Sequence, residues 1–414
     1  MLWYTLAEGA AHKGFDDMRS AGEIVIAGAV RTPLGKFGGA LSSSSAPELG
    51  AVAARAALER AGLTASNIEE TIMGNARPAG VGTNPARQIA HRAGVPDTAP
   101  AYTVNMACGS SLRAILDACQ SIAVGDREVV LAGGAEVMSR VPYLLEGLRF
   151  GYKMGHQRLI DAMYRDGFLC PLCEKVMGET AETLAERYEI SRSEQDTFAA
   201  ESQKRCELAR KSGRFDDEIV PVRAPGPKGE RVISADEHPR DGVTVESLSI
   251  LPPVFKKNGT VHAGSSSGLV DGASAMILLS ASAARRLRVR PMARVVAYTT
   301  AGVDPAVMGI GPVPAVRALL AKTGLKLEDI DLIEINEAFA AQVLACQRDL
   351  GFDLARTNVN GGAIALGHPI GATGARITTT LVHEMRRRKA RRGLATLCVS
   401  GGLGIALLIE PVES

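Results

Sequence analysis

No apolar run in the sequence reaches about 18 residues, the length that a membrane-spanning helix needs. The residues before Glu23 lack both a basic start and a sustained apolar core, so they do not form a secretory signal. They are also too acidic and too poor in arginine for an organelle transit peptide. The seven cysteines are scattered and odd in number, which argues against a disulfide framework. These absences predict a cytoplasmic protein with no role in a membrane.

Strong charge of either sign is absent too. The net charge is +2 at pH 7, and a short basic run at residues 386–392 reads as the solvated end of a helix. Nothing in this distribution indicates a nucleic-acid partner. With 46% hydrophobic and 22% charged residues, the 414-residue chain is typical of a globular protein with two or three domains. It is long enough to bury a large core.

Phosphate-binding and zinc-binding signatures are incomplete. The glycine-rich stretch at residues 358–377 contains neither GxGxxG nor GxxxxGKS/T, which argues against a dinucleotide or Walker-type site. Cys170 and Cys173 form a single CxxC, which lacks the second ligand pair of a structural zinc site. A redox role would need a strand-then-helix context that this pair lacks, so we interpret the two as unlinked thiols.

Short apolar runs at residues 129–132, 332–335 and 394–399 alternate with alanine-rich helical segments. EIVIAGAVRTP, which begins at Glu23, reads as a buried strand running into a turn. The stretch before it has no pattern, and Met18 is a candidate natural start. This alternation predicts an α/β protein with a sheet covered by helices.

An internal repeat is the most informative feature of the chain. Residues 51–76 align without a gap on residues 313–338, with Gly62 opposite Gly324 and Ile68 opposite Ile330. Each copy predicts a helix, a glycine stop, a polar turn and a strand. At lower similarity, VLAGG at residues 130–134 matches CVSGG at residues 398–402. The period is too long for a solenoid and predicts two similar halves packed as one unit.

Residues 139–265 separate the two halves. They are richer in charge, proline and glycine and contain an amphipathic helical pattern, so we interpret them as a loop domain that covers a site. The predicted division is an N-terminal extension (1–21), an N-terminal half (22–138 with 266–290), the loop domain (139–265) and a C-terminal half (291–414).

Two motifs combine a nucleophile with a base. VNMACGSSLRAI places Cys108 near the start of a helix, where free N–H groups and the dipole favour a thiolate. The alternative is a buried structural cysteine. His368 lies in the glycine-rich loop before Pro369 and offers the partner that an activated thiol needs, or else it is a structural histidine.

Two further residues end predicted strands, where reacting groups gather in α/β sheets. Cys398 ends a buried strand just before a run of glycines. Asn336 ends another strand and then opens a helix. Asn336 could cap that helix, fix a water molecule or donate a hydrogen bond.

The motifs together resemble the thiolase family. NMACGSS, AGSSSGLVDGASA, NEAFAAQ, NGGAIALGHPIGATGAR and CVSGGLG occur in the family's order, and the likeness covers nearly all of residues 23–410. It includes the duplicated halves and the inserted loop domain. The resemblance implies a duplicated thiolase fold in αβαβα layers, with the small-residue helices that begin near Cys108 and Gly371 side by side at the centre.

The resemblance also implies roles for the named residues. Cys108 attacks the 3-keto carbon of a 3-ketoacyl-CoA and holds the shortened acyl group as a thioester. Cys398 is the acid/base, protonating the acetyl-CoA carbanion or removing an α-proton in the reverse condensation. His368 supports the thiolate and, with a water held by Asn336, stabilises enolate charge. The N–H groups of Cys108 and Ser400 form a second oxyanion site.

CoA is then a substrate, and no metal or redox cofactor is implied. The resemblance implies a homodimer or homotetramer and a place in fatty acid metabolism or β-oxidation. The implied CoA contacts, from the adenosine end through the pantetheine arm to the reacting end, are Arg240 and Ser247, then Ala263 and Ser267, then Met177, Ala338 and Phe339. For Arg240 the alternative is a solvated surface charge.

This sequence departs from the family at two positions. Ser400 replaces a common glycine, so its backbone donor survives only if the local dihedrals suit a residue with a Cβ. Val176-Met177-Gly178 replaces the His-Met-Gly of short-chain biosynthetic members. This second change favours wider tolerance of acyl chain length over strict use of acetoacetyl-CoA.

Other functions remain as alternatives. A thiolase-like protein that only binds acyl-CoA would be expected to lack the second cysteine or the NEAF motif, and both are present. Condensing synthases also lack the second catalytic cysteine. GSSSG fits the GxSxG of serine hydrolases around Ser266, but Asp271 is too close in sequence for the usual triad.

Overall fold

The computed structural model describes residues 22–226 and 229–412. The predicted N-terminal extension and the candidate start at Met18 lie outside the described residues. The strands are β1 (Ile24–Arg31), β2 (Gly35–Lys36), β3 (Glu70–Gly74), β4 (Ala101–Val104), β5 (Val129–Val137), β6 (Tyr143–Leu144), β7 (Ile160–Asp161), β8 (Leu169–Cys170), β9 (Lys175–Val176), β10 (Val222–Gly226), β11 (Gly229–Ile233), β12 (Val270–Ser280), β13 (Ala293–Gly302), β14 (Leu332–Ile335), β15 (Gly393–Val399) and β16 (Leu403–Glu410). The α-helices are α1 (Ala46–Ala61), α2 (Pro85–Arg92), α3 (Ser110–Ala123), α4 (Met177–Arg187), α5 (Arg192–Lys211), α6 (Val245–Ser249), α7 (Ala281–Arg286), α8 (Pro312–Thr323), α9 (Ala340–Leu350), α10 (Ala363–Leu366) and α11 (Thr373–Arg388).

One mixed sheet runs through both halves of the chain. Its strand order is β14-β15-β16-β13-β1-β12-β5-β3-β4, with β2 added beside β12. β3 pairs in parallel with β4 and β5, β14 pairs in parallel with β15, and the other neighbours are antiparallel. The short pairing of β1 with β13 joins the halves, so the two expected sheets are continuous in their hydrogen bonding.

The internal repeat is confirmed by the local structure of the two copies. α1 ends at Gly62 with φ 69°, and α8 ends at Gly324 with φ 70°. A short 3-10 turn follows in each copy and ends at Ile68 and Ile330, both with extended dihedrals. β3 and β14 come next. Positive φ suits glycine at both helix ends because glycine has no Cβ to clash.

The weaker match of VLAGG with CVSGG is wrong in register. Val130 pairs with the first residue of β3, whereas the first residue of β14 pairs with Gly393. Val130 is therefore equivalent to Gly393 and not to Cys398. The glycines of the two motifs also have different structural roles. Gly133 lies inside β5, where a Cβ would be 2.2 Å from a carbonyl oxygen of β12. Gly401 instead has φ 88° in the turn after β15.

Three apolar clusters place the layers. One packs α1 and α2 on the outer face of the N-terminal strands, and one packs α8 and α9 on the outer face of the C-terminal strands. The third holds α3 and α11 between strands of both halves. A Cβ on Gly374 would be 2.4 Å from the backbone nitrogen of Leu112, so these central helices touch backbone to backbone. The expected αβαβα arrangement and its central helix pair are confirmed.

The basic run lies at the end of α11, as predicted, with Arg386 and Arg388 on the surface. Arg387 and Arg388 also bind Glu384 one turn earlier on the same helix. No helix within the described ranges is long and apolar enough to cross a membrane.

Candidate active site

Cys108 lies in the turn between β4 and α3. Ala107 precedes it with φ 42°, a conformation that few residues with a Cβ adopt, and α3 begins two residues after it. The backbone N–H groups of Ser400 and of Cys108 itself lie close enough to the Cys108 sulfur to lower the pKa of its thiol. The side chain is partly exposed, so a reactant can reach it.

Burial raises the pKa of the Cys108 thiol above its ordinary value, against the Arg77 charge and the two N–H donors. The Arg77 charge and the two N–H groups each favour the Cys108 thiolate, as expected for the start of a helix. Burial outweighs them, so the pKa of the thiol is raised overall. Without substrate, the thiol keeps its proton at neutral pH.

The alkylation rate of Cys108 should keep rising with pH through pH 9 in the free enzyme. Only the thiolate reacts, and a raised pKa means that less thiolate is present at any given pH below it. Iodoacetamide labelling, followed by mass measurement of the peptide that contains Cys108, checks this. A plateau in the labelling rate below pH 8 would contradict it.

His368 is buried, and its hydrogen bonds fix its tautomer. Its Nδ1 lies 2.6 Å from Oγ1 of Thr373, and that hydroxyl lies 3.0 Å from the carbonyl oxygen of Pro369. Because the hydroxyl donates to Pro369, it accepts from Nδ1–H, and Nε2 carries the lone pair. Nε2 is buried and has no hydrogen-bond partner among the described residues. It is thus an unused base in the site.

His368 is also held neutral. Burial and the charges of Arg376 and Arg77 lower the pKa of His368 to about 3. An imidazole with this pKa gives up a proton readily. This pKa also makes Nε2 a weak base towards the Cys108 thiol, so it takes the proton only as negative charge develops nearby and then donates a hydrogen bond to that charge.

Cys398 is fully buried at the end of β15. Burial, the nearby Cys108 and Cys346 raise the pKa of its thiol well above the ordinary value. The structure thus brings Cys398 and Cys108 together, although they lie in different halves of the chain. A thiol that stays protonated beside the first cysteine is equipped to give a proton to a carbanion.

Asn336 follows β14 and is fully buried. Both atoms of its side-chain amide lack a hydrogen-bond partner within the part of the chain that the structure describes. The helix-capping alternative is wrong, because α9 begins after Phe339 and has no side-chain cap. A buried amide without partners is free to bind a water molecule or a substrate oxygen.

Ser400 retains the backbone donor that its departure from glycine placed in doubt. Positive φ falls on Gly401 and Gly402, with φ 88° and 84°, and not on Ser400. Its dihedrals therefore suit a residue with a Cβ. The N–H groups of Ser400 and Cys108 both lower the pKa of the Cys108 thiol, so both donors lie near the sulfur, where a developing negative charge needs them.

The expected reacting-end contacts surround Cys398. Met177, Ala338 and Phe339 belong to or pack on the same apolar cluster as this cysteine. Ser267 N–H donates to the carbonyl of Ala338 at 3.0 Å, so the expected pantetheine segment runs alongside.

The other expected CoA contacts lie on exposed loops outside that cluster. The side chains of Arg240, Ser247 and Ala263 are exposed. The Arg240 N–H donates to Gln203 Oε1 at 3.1 Å. The Ser247 hydroxyl donates to the carbonyl of Thr244 at 2.8 Å at the start of α6.

The serine-hydrolase alternative fails on geometry. Ser266 donates its hydroxyl proton to the backbone carbonyl of His262 at 2.8 Å and does not contact the ring. Both ring nitrogens of His262 are occupied, one by Asp196 at 2.6 Å and one by the N–H of Gly264 at 3.1 Å. No base is therefore available to activate this serine.

Cys170 and Cys173 are free thiols, at and just beyond the end of β8 in the hairpin of β8 and β9. The described ranges also contain no group of three or more His, Cys, Asp or Glu side chains placed to hold a metal ion.

Sequence reasoning missed two residues of the site. Thr373 fixes the His368 tautomer, and its spacing of five residues within one turn-rich loop gave no distinct signal. Arg77 acts on both Cys108 and His368. The internal repeat could have identified Arg77, because Arg77 directly follows the first copy and Phe339 directly follows the second.

A partly exposed cysteine under two amide donors, with a buried second cysteine and an unused histidine base, is equipped for acyl transfer through a cysteine thioester. Residues 24–282 match the family model "Thiolase, N-terminal domain", and residues 289–411 match "Thiolase, C-terminal domain". The chain belongs to the thiolase family and is an acyltransferase.

Its relatives match over nearly their full lengths. An acetyl-CoA acetyltransferase of Pseudomonas aeruginosa is 53% identical, over 94% of this chain and 99% of the relative. A solved acetyl-CoA acetyltransferase of Bacillus anthracis superposes with a TM-score of 0.92 at 46% identity, covering 94% of this chain and 99% of the other. Human mitochondrial 3-ketoacyl-CoA thiolase in complex with CoA gives a TM-score of 0.92 at 44% identity, covering 95% and 98%.

Proposed function

We propose that the chain catalyses the reversible CoA-dependent cleavage of acetoacetyl-CoA or longer 3-ketoacyl-CoA, and the reverse condensation of acetyl-CoA. The observations that carry this are that Cys108 and Cys398 are close enough to affect each other's charge, and that Arg77 acts on both Cys108 and His368, whose buried Nε2 has no hydrogen-bond partner among the described residues. Cleavage beside a thioester needs a nucleophile for the keto carbon and a proton for the carbanion that leaves. The two cysteines supply one each.

In the proposed reaction, Nε2 of His368 takes the Sγ proton of Cys108 as the sulfur attacks the 3-keto carbon. The N–H groups of Cys108 and Ser400 bind the oxygen that becomes negative. The bond between the α- and keto carbons then breaks, and Cys398 gives its proton to the leaving carbanion. CoA finally gives its thiol proton to the Cys398 thiolate and attacks the thioester, and the Cys108 sulfur that leaves takes back the proton from His368, which makes the kinetics ping-pong.

CoA is proposed to enter along the exposed Arg240 and Ser247 and pass Ala263 and Ser267 towards Phe339. The solved human mitochondrial 3-ketoacyl-CoA thiolase is in complex with CoA, which supports CoA as the molecule that binds. Cationic Arg240 suits the phosphates of the adenosine end. No other cofactor is proposed.

The proposed reaction does not specify the acyl chain length of the substrate, and Val176 predicts which lengths are accepted. It replaces a histidine beside Met177, and an apolar residue there removes a polar partner from the acyl end. We expect kcat/KM for C6 and C8 3-ketoacyl-CoA to be at least comparable with that for acetoacetyl-CoA. Steady-state thiolysis with each substrate at saturating CoA measures it. Strict preference for acetoacetyl-CoA would contradict the wider tolerance, and no thiolysis of any would contradict the function.

The proposed setting is cytoplasmic fatty acid metabolism, including β-oxidation, by a homodimer or homotetramer. β4 supports the oligomer, because it ends the sheet and its Tyr102 is 41% exposed. Light scattering that gives a monomer mass would contradict it. The division into two halves with a loop domain at residues 139–265 stays a prediction.

A further inference from the structure

Arg77 is a buried cation in the site. Its side chain is 7% exposed, and it forms no ion pair with any carboxylate in the described part of the chain. Nη1 donates to the carbonyl of Ala76 at 2.8 Å, while the buried Nε has no hydrogen-bond partner there. Arginine is rarely buried unless it is paired, so a buried unpaired guanidinium indicates a function.

The backbone of Arg77 is fixed by the one buried carboxylate close to it. Glu136 accepts N–H bonds from Ala76 at 2.9 Å, from Arg77 at 3.2 Å and from Gly371 at 2.8 Å. These bonds occupy the carboxylate with backbone donors instead of the guanidinium. Burial, moreover, raises the pKa of Glu136, so that its negative charge is itself disfavoured. The Arg77 charge still lowers the pKa of Glu136 and of the exposed Asp166, but the guanidinium forms an ion pair with neither carboxylate, and the same charge also reaches Cys108.

The internal repeat places Arg77 opposite a residue of the reacting end. Gly62 and Gly324 are equivalent, and the same offset makes Arg77 the counterpart of Phe339. Phe339 belongs to the same apolar cluster as Cys398. In the first copy, Ala76 directly precedes Arg77 and belongs to the cluster against which Cys108 packs.

The segment that contains Gly167 and Phe168 packs closely on the Arg77 side chain. A Cβ on Gly167 would be 2.7 Å from Nε and 2.8 Å from Nη2. The next residue, Phe168, packs against the same cluster as Cys108. The Arg77 side chain therefore lies under a segment that also packs near Cys108.

We propose that Arg77 is a further residue of the reaction centre, whose charge is the counter-charge for the Cys108 thiolate. The inference rests on Cys108 being the nucleophile of the proposed function. In the step concerned, the Sγ–H bond of Cys108 breaks, the electron pair stays on sulfur, and Nε2 of His368 accepts the proton.

The charges that face Cys108 support this assignment. Arg77 is the largest influence that lowers the pKa of the Cys108 thiol, whereas Glu136 raises it. Cys398, the other thiol, stays neutral because its own pKa is raised. Arg77 and Arg376 both lower the pKa of His368, so that the imidazole is neutral before the step. Of the two arginines, only Arg77 acts on Cys108 as well.

The test compares Arg77→Met, which removes the charge at similar volume, with Arg77→Lys, which keeps it. Iodoacetamide labelling of Cys108 is measured across pH by peptide mass. Arg77→Met should move the labelling profile to higher pH by about one unit, which makes labelling about tenfold slower at pH 8. Arg77→Lys should restore most of the rate. An unchanged profile in Arg77→Met would overturn the proposal, and unchanged melting temperatures in both variants show that the fold is intact.

A second measurement separates the thiolate from an anionic substrate as the partner of Arg77. Thiolysis is compared for 3-ketoacyl-CoA with a methyl end and with a carboxylate end. Arg77→Met should lower kcat for both by a similar factor. Loss with the carboxylate substrate alone would mean that Arg77 binds the substrate and would overturn the proposal. Failure of the proposed function has a separate readout, because it would appear as normal turnover in Cys108→Ser.

Discussion

Cys108→Ser should abolish turnover, with a loss of at least about a thousandfold in kcat. A neutral hydroxyl ionises far less readily than a thiol, and the Arg77 charge and two N–H donors that support the sulfur anion cannot make up that difference. Thiolysis of acetoacetyl-CoA and labelling with a radioactive acyl group both report on it. Residual turnover near the wild-type rate would exclude Cys108 as the nucleophile.

Cys398→Ser divides the reaction differently. Serine is a weaker acid than the thiol, so proton transfer to the carbanion should slow and the complete cycle should fall by at least about a hundredfold. The acyl-enzyme on Cys108 should still form from acyl-CoA, because that step does not need Cys398. Equal loss of labelled acyl-enzyme in both variants would contradict this division.

The matched control for these variants is Cys119→Ser. Cys119 is also fully buried, but it lies in the third turn of α3 and its neighbours are apolar side chains of the central layer. The exchange of a buried sulfur for oxygen is the same, so any general cost of burying a hydroxyl appears here. Turnover of this variant should stay close to wild type once its folding is allowed for.

Much of the fold was predictable because the sequence contains an internal repeat. The helix, glycine stop, turn and strand of residues 51–76 recur in residues 313–338, and this agreement predicted two similar halves from the sequence alone. The match of VLAGG with CVSGG failed because glycine pairs serve two purposes. Inside β5 they allow close strand packing, and after β15 they turn the chain with positive φ. Composition alone does not distinguish these uses.

The site was predictable only as far as motifs reach. Cys108, His368 and Cys398 stand in recognisable patterns, but the hydroxyl that sets the tautomer of His368 depends on how one loop turns. The net pKa of Cys108 likewise follows from burial, which outweighs local donors that a sequence can suggest. Arg77 carries no motif of its own. Its role is inferred from its position in the folded structure, where residues of the two halves meet.

Gly374→Ala should destabilise the protein by about 2–3 kcal/mol and lower its activity. The added Cβ would be 2.4 Å from the backbone nitrogen and 2.6 Å from the Cβ of Leu112. Neither atom belongs to the end of a flexible side chain, so the two central helices must move apart. The loops before α3 and α11 carry Cys108 and His368, and separation of the helices therefore spreads the site.

The control for this last substitution is Gly50→Ala in α1. Its Cβ would also be 2.4 Å from a neighbour, but that neighbour is Cδ1 of Ile89, the end of a side chain that can rotate away. Alanine also favours a helix over glycine by about 0.5–1 kcal/mol, which offsets part of the crowding. Gly50→Ala should thus lie within about 1 kcal/mol of wild type in urea unfolding, with normal thiolysis. Equal destabilisation of both variants would mean that the contact of α3 with α11 is no tighter in energy than ordinary helix packing. Normal activity in Gly374→Ala would separate the central helices from the chemistry of Cys108 and His368.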